Sequence, residues 1–315
     1  MTELFTGDFL PLLLVSSLIG VVIGLTGMGG GALMTPALVF LGIPPSTAVA
    51  NDLVAAAVNK SVGATVHAKH GSPHFKLAKW LIIGSVPTAF AGAFIIDNLG
   101  DFDVQQTFLK TAIGCTLLIT ATTYFLRMYL ELARGILDDP NAPDPEVRPI
   151  PTLLIGTLGG LLVGITSVGS GTLIMVLLLL LYPALSAVKL VGTDLVQAIP
   201  LVVSAAIGHV IVNGVDWSIL VPLLIGGAPG TFLGARLAAV VPQSIVRRGI
   251  VIVLTVSSLA MLGVPSLWVG FSGAALLILG PVVWGLLRMH HGLPAFENEH
   301  LPGGRPKAAR GRDSE

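Results

Sequence analysis

Two long apolar stretches of the chain, each interrupted by a glycine cluster, restrict the folds that it can adopt. The first covers residues 10–42 and contains Gly27-Met28-Gly29-Gly30-Gly31, and the second covers residues 151–188 and contains Ser167-Val168-Gly169-Ser170-Gly171. Neither stretch contains a charged residue. One helix of the first length would measure roughly 50 Å, whereas the hydrocarbon core of a bilayer is about 30 Å thick. We therefore expect each stretch to form two shorter helices joined at the glycines, as a hairpin that either re-enters or spans the membrane.

A helix break inside a bilayer has a physical meaning. Irregular backbone is tolerated there only where it is buried in protein or lines a wet cavity. The helix that begins after the glycines directs its free N–H groups toward the break, which suits an anion. Broken helices at matching places in two halves indicate a transporter site. Glycines that only allow close helix packing are the alternative, and the second matching cluster favours the functional interpretation.

The composition is that of a polytopic membrane protein. Hydrophobic residues make up 53% of the chain and charged residues 11%, and the mean hydropathy is +0.88. These values exclude the soluble globular classes, and a net charge of zero gives no indication of a nucleic-acid partner. Cys115 is the single cysteine, so an intrachain disulfide and a cysteine metal site are excluded. No cofactor or metal is expected, and the N-terminus is interpreted as the start of the first membrane segment.

The segments between the two stretches occur in the same order in both halves. Spans are predicted at about 46–68, 77–96 and 106–129 after the first stretch, and at about 187–212, 217–240 and 245–262 after the second. The domain boundaries that follow are a first repeat at 10–130, a linker at 131–150, a second repeat at 151–262, an extra span at 267–287 and a disordered tail at 288–315.

An internal duplication supports this division. An offset of 140 aligns the two stretches, and an offset of 142 aligns the spans that follow them. The aligned pairs include Gly20 with Gly160, Gly24 with Gly164, Asp52 with Asp194, His67 with His209, Gly84 with Gly226, and Pro87 with Pro229. The predicted fold is an all-α membrane protein of two repeats, each a glycine-broken hairpin plus about three spanning helices, with one extra C-terminal span.

The placement of Lys and Arg predicts the orientation of the chain. Basic residues cluster in the 69–79 loop, the linker, the Arg247-Arg248 loop and the tail, and these are expected in the cytoplasm. The N-terminus and the loops near Asp101 and Asp216 are then outside. Each stretch enters and leaves on one face in this scheme, so the repeats are inverted. Parallel repeats, with each stretch crossing once, would break the basic-residue rule. The protein is expected in the inner (cytoplasmic) cell membrane with its C-terminus in the cytoplasm.

Ionisable residues within the spans are the first candidates for function. Asp52, Lys60 and His67 are spaced by eight and seven residues, about two helical turns each, and so share one face. Lys60 is interpreted as a buried cation that pairs with Asp52 or faces an anionic substrate. The aspartates could instead hold helices together. For the histidines, a hydrogen-bonded interfacial role is the preferred interpretation.

Motifs of the common enzyme classes are missing. The sequence contains no H-E-x-x-H, no G-x-S-x-G and no paired Cys/His spacing for a metal. Asp52 and Asp194 could suggest an intramembrane aspartyl protease, but their flanks lack the usual glycine-rich context. An enzyme is therefore not predicted.

The chain resembles the TauE/SafE family of sulfite-exporter-like membrane proteins, also called the TSUP family. The likeness rests on Gly24-Leu25-Thr26-Gly27-Met28-Gly29-Gly30-Gly31 followed by Pro36, on Asn51-Asp52, and on the 84–92 segment, all repeated over about residues 10–265. The resemblance implies transport of small sulfur-containing or organic anions, such as sulfite, sulfoacetate or other sulfonates. The second copy departs from the pattern, with Ser167 and Ser170 at the positions of Gly27 and Gly30.

These observations predict a secondary transporter of small anions, an exporter that works by alternating access. Its partners are the anionic substrate and the lipid bilayer, with a homodimer as one option. An anion channel is the main alternative, and an intramembrane enzyme or a receptor is less favoured. The candidate substrate-binding residues are Thr26, Gly29, Gly30, Gly31, Asn51, Asn59, Lys60, Ser167, Gly169, Ser170, Gly171, Thr193 and Gln197. The candidates for proton coupling or gating are Asp52, Asp194, His67 and His209.

Overall fold

Helices are the only regular secondary structure in the described part of the chain. The computed structural model describes residues 9–26, 31–67, 73–134, 145–238, 240–241 and 243–290, and these contain no strand. The first half comprises α1 (Phe9–Thr26), α2 (Gly31–Phe40), α3 (Pro45–His67), α4 (Phe75–Asp97) and α5 (Phe102–Arg134). The second half comprises α6 (Pro149–Thr166), α7 (Thr172–Leu181), α8 (Ala187–Asn213), α9 (Trp217–Leu237), α10 (Gln243–Met261) and α11 (Ser266–His290). Seven of the described helices are long and apolar enough to cross a membrane.

Both apolar stretches fold as the predicted pair of helices. The first break, between α1 and α2, contains Gly29 and Gly30, which lie outside the described residues. The second break, residues 167–171, separates α6 from α7. Ser167 ends α6 in the left-handed region at φ 61°, and Gly169 follows at φ 101°. A helix cannot continue through positive φ angles, so the backbone of the second break turns here.

The second stretch turns back on itself. Tyr182, directly after α7, places its hydroxyl 2.6 Å from Thr152 Oγ1 and 2.8 Å from the Arg148 amide nitrogen, both at the start of α6. The two ends of the α6–α7 segment therefore lie at the same end of the molecule. This contact closes the second hairpin at its open side, opposite to the break.

Helices of different repeats pack against each other along two glycine seams. In the α1–α9 seam, a Cβ atom added to Gly20 would lie 2.6 Å from the Gly227 carbonyl oxygen. In the α4–α6 seam, a Cβ atom on the matching Gly160 would overlap the carbonyl oxygen of Ser85, the residue that matches Gly227. The match extends to Gly24 against Thr231 and Gly164 against Ala89, and to Gly226 against Leu13 and Gly84 against Leu153. Each of these contacts of the α1–α9 seam therefore has a counterpart in the α4–α6 seam at the matching residues of the other repeat.

The partners in each seam run in the same direction. Residue numbers rise together along α1 and α9, and likewise along α4 and α6. The molecule has two ends, which we name after the residues that precede α4 and α9. The starts of α4, α6 and α8 lie at the His74 end, since the His74 amide contacts Thr193 near the start of α8. The starts of α3, α5 and α9 lie at the Asp216 end, where Ser46 is hydrogen-bonded to Gln106 and Thr47 lines a cavity with Asp216.

The extra C-terminal helix is peripheral. α11 packs against α10, and its Trp284 ring approaches the Phe125 ring of α5 with 6.5 Å between centroids. Most of its large apolar side chains are exposed, as expected of a helix that faces lipid. At their C-terminal ends, α5 and α11 extend several residues past the predicted boundaries, because α5 continues to Arg134 and α11 to His290. In both cases the sequence continues without proline or glycine, so the helix does not stop at the edge of the apolar run.

Candidate functional site

The first residue of α2 touches the second break. A Cβ atom on Gly31 would overlap the carbonyl oxygen of Ser167 and lie 2.6 Å from its Oγ atom. Both residues are buried. The glycine is therefore required for the close approach of the two backbones. The contact brings the start of the second arm of one hairpin against the break of the other.

Asp52 of α3 is hydrogen-bonded to both hairpins beside this contact. Its Oδ2 atom accepts hydrogen bonds from Thr35 Oγ1 of α2 at 2.5 Å and from Ser167 Oγ of the second break at 2.8 Å. All three side chains are buried. One carboxylate thus joins the two hairpins to α3. Hydrogen bonds to a charged acceptor are stronger than those between neutral groups, so the junction is firmly held.

Lys60, two turns along α3 from Asp52, reaches the second break as well. Its Nζ atom donates a hydrogen bond to Ser170 Oγ at 2.6 Å. The charges of Asp194 and Asp52 both act on this ammonium group. The side chain is half-buried, and a lysine ammonium carries three N–H donors. One donor is used by Ser170, which leaves capacity for a further acceptor.

Asp194 of α8 is bound within its own helix. Gln197 Nε2 donates to Asp194 Oδ1 at 3.0 Å and lies 3.4 Å from the Ser170 carbonyl oxygen. The Gln197 Oε1 atom is buried without a hydrogen-bond partner among the described residues. Unpaired buried polar atoms are uncommon and costly, so this amide oxygen is one that a ligand or water can satisfy.

The second break ends at a helix start that no side chain caps. Gly171 is the N-cap residue of α7, and no side-chain hydrogen bond caps it. The first N–H groups of a helix have no partner inside the helix and carry partial positive charge. Ser170, which binds Lys60, directly precedes this position. An ammonium group and a helix N-terminus therefore lie at the same break.

Three residues near the site were not singled out from the sequence. Thr35 binds Asp52. Thr120 of α5 is a neighbour of Gly169, and its buried Oγ1 atom has no partner among the described residues. Arg127, further along α5, acts electrostatically on Asp194. The spacing of seven residues between Thr120 and Arg127 places both on one helix face, which is the signal that could have indicated α5.

The other predicted residues occupy different places. Thr26 is bonded to the backbone of its own helix, and Asn59 lies beside Gly227 of α9. His209 is buried, and its Nε2 atom is 2.7 Å from the Gly164 carbonyl oxygen of α6, so it contacts the α4–α6 seam. The His67 side chain lies outside the described part of the structure. Asn51 and Thr193 lie one position before Asp52 and Asp194, nearer to the two ends of the molecule.

The charges near the break are balanced between both signs. The Lys60 ammonium lies in the field of both Asp52 and Asp194, and Arg127 acts on Asp194 alone of the two carboxylates. Buried charges in a membrane protein are costly unless they are paired, so this cluster is a strong candidate for function. An anion that approaches Lys60 also meets the hydroxyl of Ser170 and the N–H groups of α7. The arrangement presents hydrogen-bond donors of the kind that bind small oxyanions.

The comparisons with known proteins agree with this architecture. The family model described as "Sulfite exporter TauE/SafE" matches residues 12–261. The chain is 36% identical over 228 residues to "Probable membrane transporter protein YjnA" of Bacillus subtilis (strain 168), which covers 72% of this chain and 89% of that protein. It is 26% identical over 252 residues to "Probable membrane transporter protein YdhB" of the same organism, with 80% and 99% covered. No solved structure matches.

The matched region contains the second hairpin, nearly all of the first, both glycine seams and every candidate site residue. It leaves out α11, the short segment before it and the chain ends. The resemblance seen in the glycine motifs is thereby confirmed over most of the chain. The family consists of membrane transporters and not of enzymes. This chain belongs to the TauE/SafE family and is a multi-pass membrane transporter.

Proposed function

We propose that this transporter is a secondary carrier that exports small sulfur-containing or organic anions, such as sulfite, sulfoacetate or other sulfonates. The observation that carries this proposal is the position of Lys60, a half-buried residue whose ammonium group is hydrogen-bonded to Ser170 at the second break. A sulfonate or sulfite oxygen can accept from the remaining Lys60 donors and from the first N–H groups of α7. The proposed site comprises the substrate-binding candidates that surround this point, with Lys60 as the source of positive charge.

Alternating access requires two halves that can exchange their arrangements. We propose inverted repeats, and two sets of contacts support them. α1 runs parallel to α9 from the Asp216 end, whereas α6 runs parallel to α4 from the His74 end. The Tyr182 contact returns the second hairpin to the end at which it began. Equivalent helices of the two repeats then run in opposite directions.

The orientation in the membrane can be tested by cysteine labelling. In a Cys115→Ser background, cysteines near Asp101 and Asp216 should react with an impermeant thiol reagent added outside intact cells. Cysteines near Lys76 and Arg247 should react only after the cells are opened, and a C-terminal reporter should behave in the same way. The physical reason is the retention of basic loops on the cytoplasmic side. Labelling of the Lys76 position from outside would contradict the proposed orientation.

The function itself is tested by counterflow in proteoliposomes. Vesicles that contain purified protein and unlabelled sulfite or a sulfonate should accumulate the same labelled anion from outside against its gradient. A carrier produces this overshoot because it exchanges one bound anion for another, whereas a channel only equilibrates the label. Conductance without overshoot would favour an anion channel. If neither overshoot nor conductance is observed with a panel of sulfonates and organic anions, the proposed substrate class is wrong.

Ser170 provides a milder test of the same site. The Ser170 hydroxyl accepts from Lys60, and its own proton can be donated to the anion. Ser170→Ala removes this donor and should weaken anion binding by about 0.5–1.5 kcal/mol, roughly the net value of one hydrogen bond. Thr111→Val is a matched control, because Thr111 is exposed on α5 and its hydroxyl donates to the Thr107 carbonyl oxygen of the same helix. Calorimetry on purified protein measures both. Equal affinities for the two variants would move the anion away from the second break.

A further inference from the structure

Equivalent residues at the two ends of the molecule make different contacts. The offset of 142 that relates the repeats matches Asn51 with Thr193 and Asp216 with His74. Each member of the first pair lies near the start of α3 or α8, immediately before Asp52 or Asp194. Each member of the second pair is the N-cap residue of α9 or α4. The two ends can therefore be compared atom by atom.

At the His74 end the equivalent elements are joined. The His74 backbone N–H donates a hydrogen bond to Thr193 Oγ1 at 2.9 Å, and the Thr193 side chain is fully buried. The bond ties the segment before α4 to the start of α8. Asp194, the next residue of α8, is buried directly behind this bond in the sequence.

At the Asp216 end the corresponding elements are separated by a cavity. The cavity has a volume of about 590 Å³ and is lined by Thr47, Ala50 and Asn51 of α3 and by residues 213–218. Asn51 occupies the place of Thr193, and only 1% of it is exposed. Its Nδ2 atom donates to the Thr47 carbonyl oxygen, while its Oδ1 atom has no partner among the described residues.

We infer that Asn51 and Thr193 are the acceptors of two matched gates, and that the gate at the His74 end is closed while the gate at the Asp216 end is open. In the opposite state the segment before α9 closes on α3, and the Asp216 backbone N–H donates to Asn51 Oδ1. The His74–Thr193 bond then breaks. This inference rests on the proposed alternating access, and it assigns Asn51 and Thr193 to the gates rather than to the anion.

The carboxylates next to Asn51 and Thr193 connect each gate to the second break. Asp52, directly after Asn51, is bonded to Ser167 of the second break, and Asp194, directly after Thr193, is bonded to Gln197 beside Ser170. A shift at the start of α3 or α8 therefore moves a carboxylate that acts on Lys60. Most buried acceptors are hydrogen-bonded, so the unpaired Asn51 Oδ1 atom favours the state in which the gate at the Asp216 end is closed.

Paired cysteines in a Cys115→Ser background test this inference by fixing one gate at a time. One protein carries His74→Cys with Thr193→Cys, and the other carries Asn51→Cys with Asp216→Cys. Mild oxidation closes each pair as a disulfide, which we call the 74–193 link and the 51–216 link. Each link holds its own gate closed, so the matched gates predict that the opposite end of the molecule is then accessible.

A third, reporter cysteine measures this accessibility by its rate of labelling with a thiol reagent. The reporters are Ala50→Cys, which lines the cavity, and Gly192→Cys, at the matching buried position of α8. With the 74–193 link, Ala50→Cys should react at least tenfold faster than Gly192→Cys, and with the 51–216 link the order should reverse. Gly192→Ala, which adds a single methyl group, checks separately that this position accepts a side chain. If it does not, Ala50→Cys alone decides, since it should react at least tenfold faster with the 74–193 link than with the 51–216 link.

The matched gates would be overturned if both links formed in one molecule. They would also be overturned if the labelling rates were the same with either link. A gentler variant covers the case in which the cysteine pairs do not fold. Thr193→Val removes the hydroxyl that accepts from His74 and that also donates to the Lys189 carbonyl oxygen of its own helix. It should raise labelling of Gly192→Cys several-fold. Thr111→Val is the control, because the Thr111 hydroxyl likewise donates to its own helix backbone, and an unchanged rate for Thr193→Val would overturn the inference. None of these readouts uses substrate. If the order of the two labelling rates reverses between the links but no sulfonate is transported, only the proposed substrate is refuted. If sulfonate is transported but the order does not reverse, only the gates are refuted.

Discussion

Lys60→Met is expected to abolish anion transport while the protein still folds and inserts into the membrane. Methionine keeps most of the length and apolar contact of the lysine stem but removes the ammonium that Ser170 binds at the second break. Hydrogen bonds to a charged group contribute about 1.5–3 kcal/mol, so anion affinity should fall roughly ten- to hundredfold from this contact alone. Counterflow measures the transport, and calorimetry measures the affinity.

Lys79→Met is the matched control, because Lys79 is exposed on α4, away from the second break. It should transport at the normal rate. Lys60→Arg should retain part of the affinity, since the charge is kept while its geometry changes. Normal anion affinity in Lys60→Met would show that backbone N–H groups alone hold the anion, or that the site lies elsewhere. A folded protein in each case can be verified by its size-exclusion profile.

Gly24→Ala is expected to lower the unfolding temperature of the purified protein by several degrees. A Cβ atom at this position would overlap the Thr231 carbonyl oxygen and lie 2.5 Å from the Ala235 amide nitrogen. Both are backbone atoms, which cannot rotate away, so α1 and α9 must move apart. Overpacking of this kind costs about 1–3 kcal/mol. Gly164→Ala, at the matching place in the α4–α6 seam, should have a similar effect.

Gly280→Ala is the control for both seams. Gly280 lies on α11, and a Cβ atom there would have no heavy atom within 4 Å. Alanine is also the better helix former, so this change should leave the unfolding temperature unchanged or slightly raised. An equal loss of stability in all three variants would show that the glycines act through the helix backbone and not through the seams.

The local features of the fold could be predicted from the sequence. The glycine clusters interrupt apolar stretches that are too long for one helix, and the order of spans follows from hydropathy. The repeat offsets of 140 and 142 also reappear as matched contacts, such as Gly20 on Gly227 and Gly160 on Ser85. What the sequence could not provide is the pairing of α1 with α9. Partners more than 200 residues apart leave no periodic signal, because each glycine faces a backbone atom that every residue carries.

The candidate site could be predicted only in part, because hydrogen bonds between distant helices leave no signal in the sequence. Lys60 and Asp52 are conspicuous because charge is rare in apolar spans, whereas Thr35 is an ordinary helical residue until Asp52 is seen to bond it. The offset of 142 aligns Asp52 with Asp194, yet the two aspartates have different hydrogen-bond partners. They differ because Thr35 and Ser167, which bind Asp52, are matched by Met175 and Gly27 in the other repeat. Hydroxyls occur on one side only, so Asp194 relies on Gln197 of its own helix.

The cross-repeat seams also determine the order in which the chain can assemble during synthesis. The glycine face of α1 packs on α9, which leaves the ribosome about 200 residues later, or roughly 10–40 s at common rates of elongation. Until then α1 resides in the bilayer with its tightest contact surface against lipid. The α4–α6 seam can form much earlier, before the second half is complete. Each half expressed alone would leave a glycine face uncovered, so the halves should accumulate stably only when they are produced together.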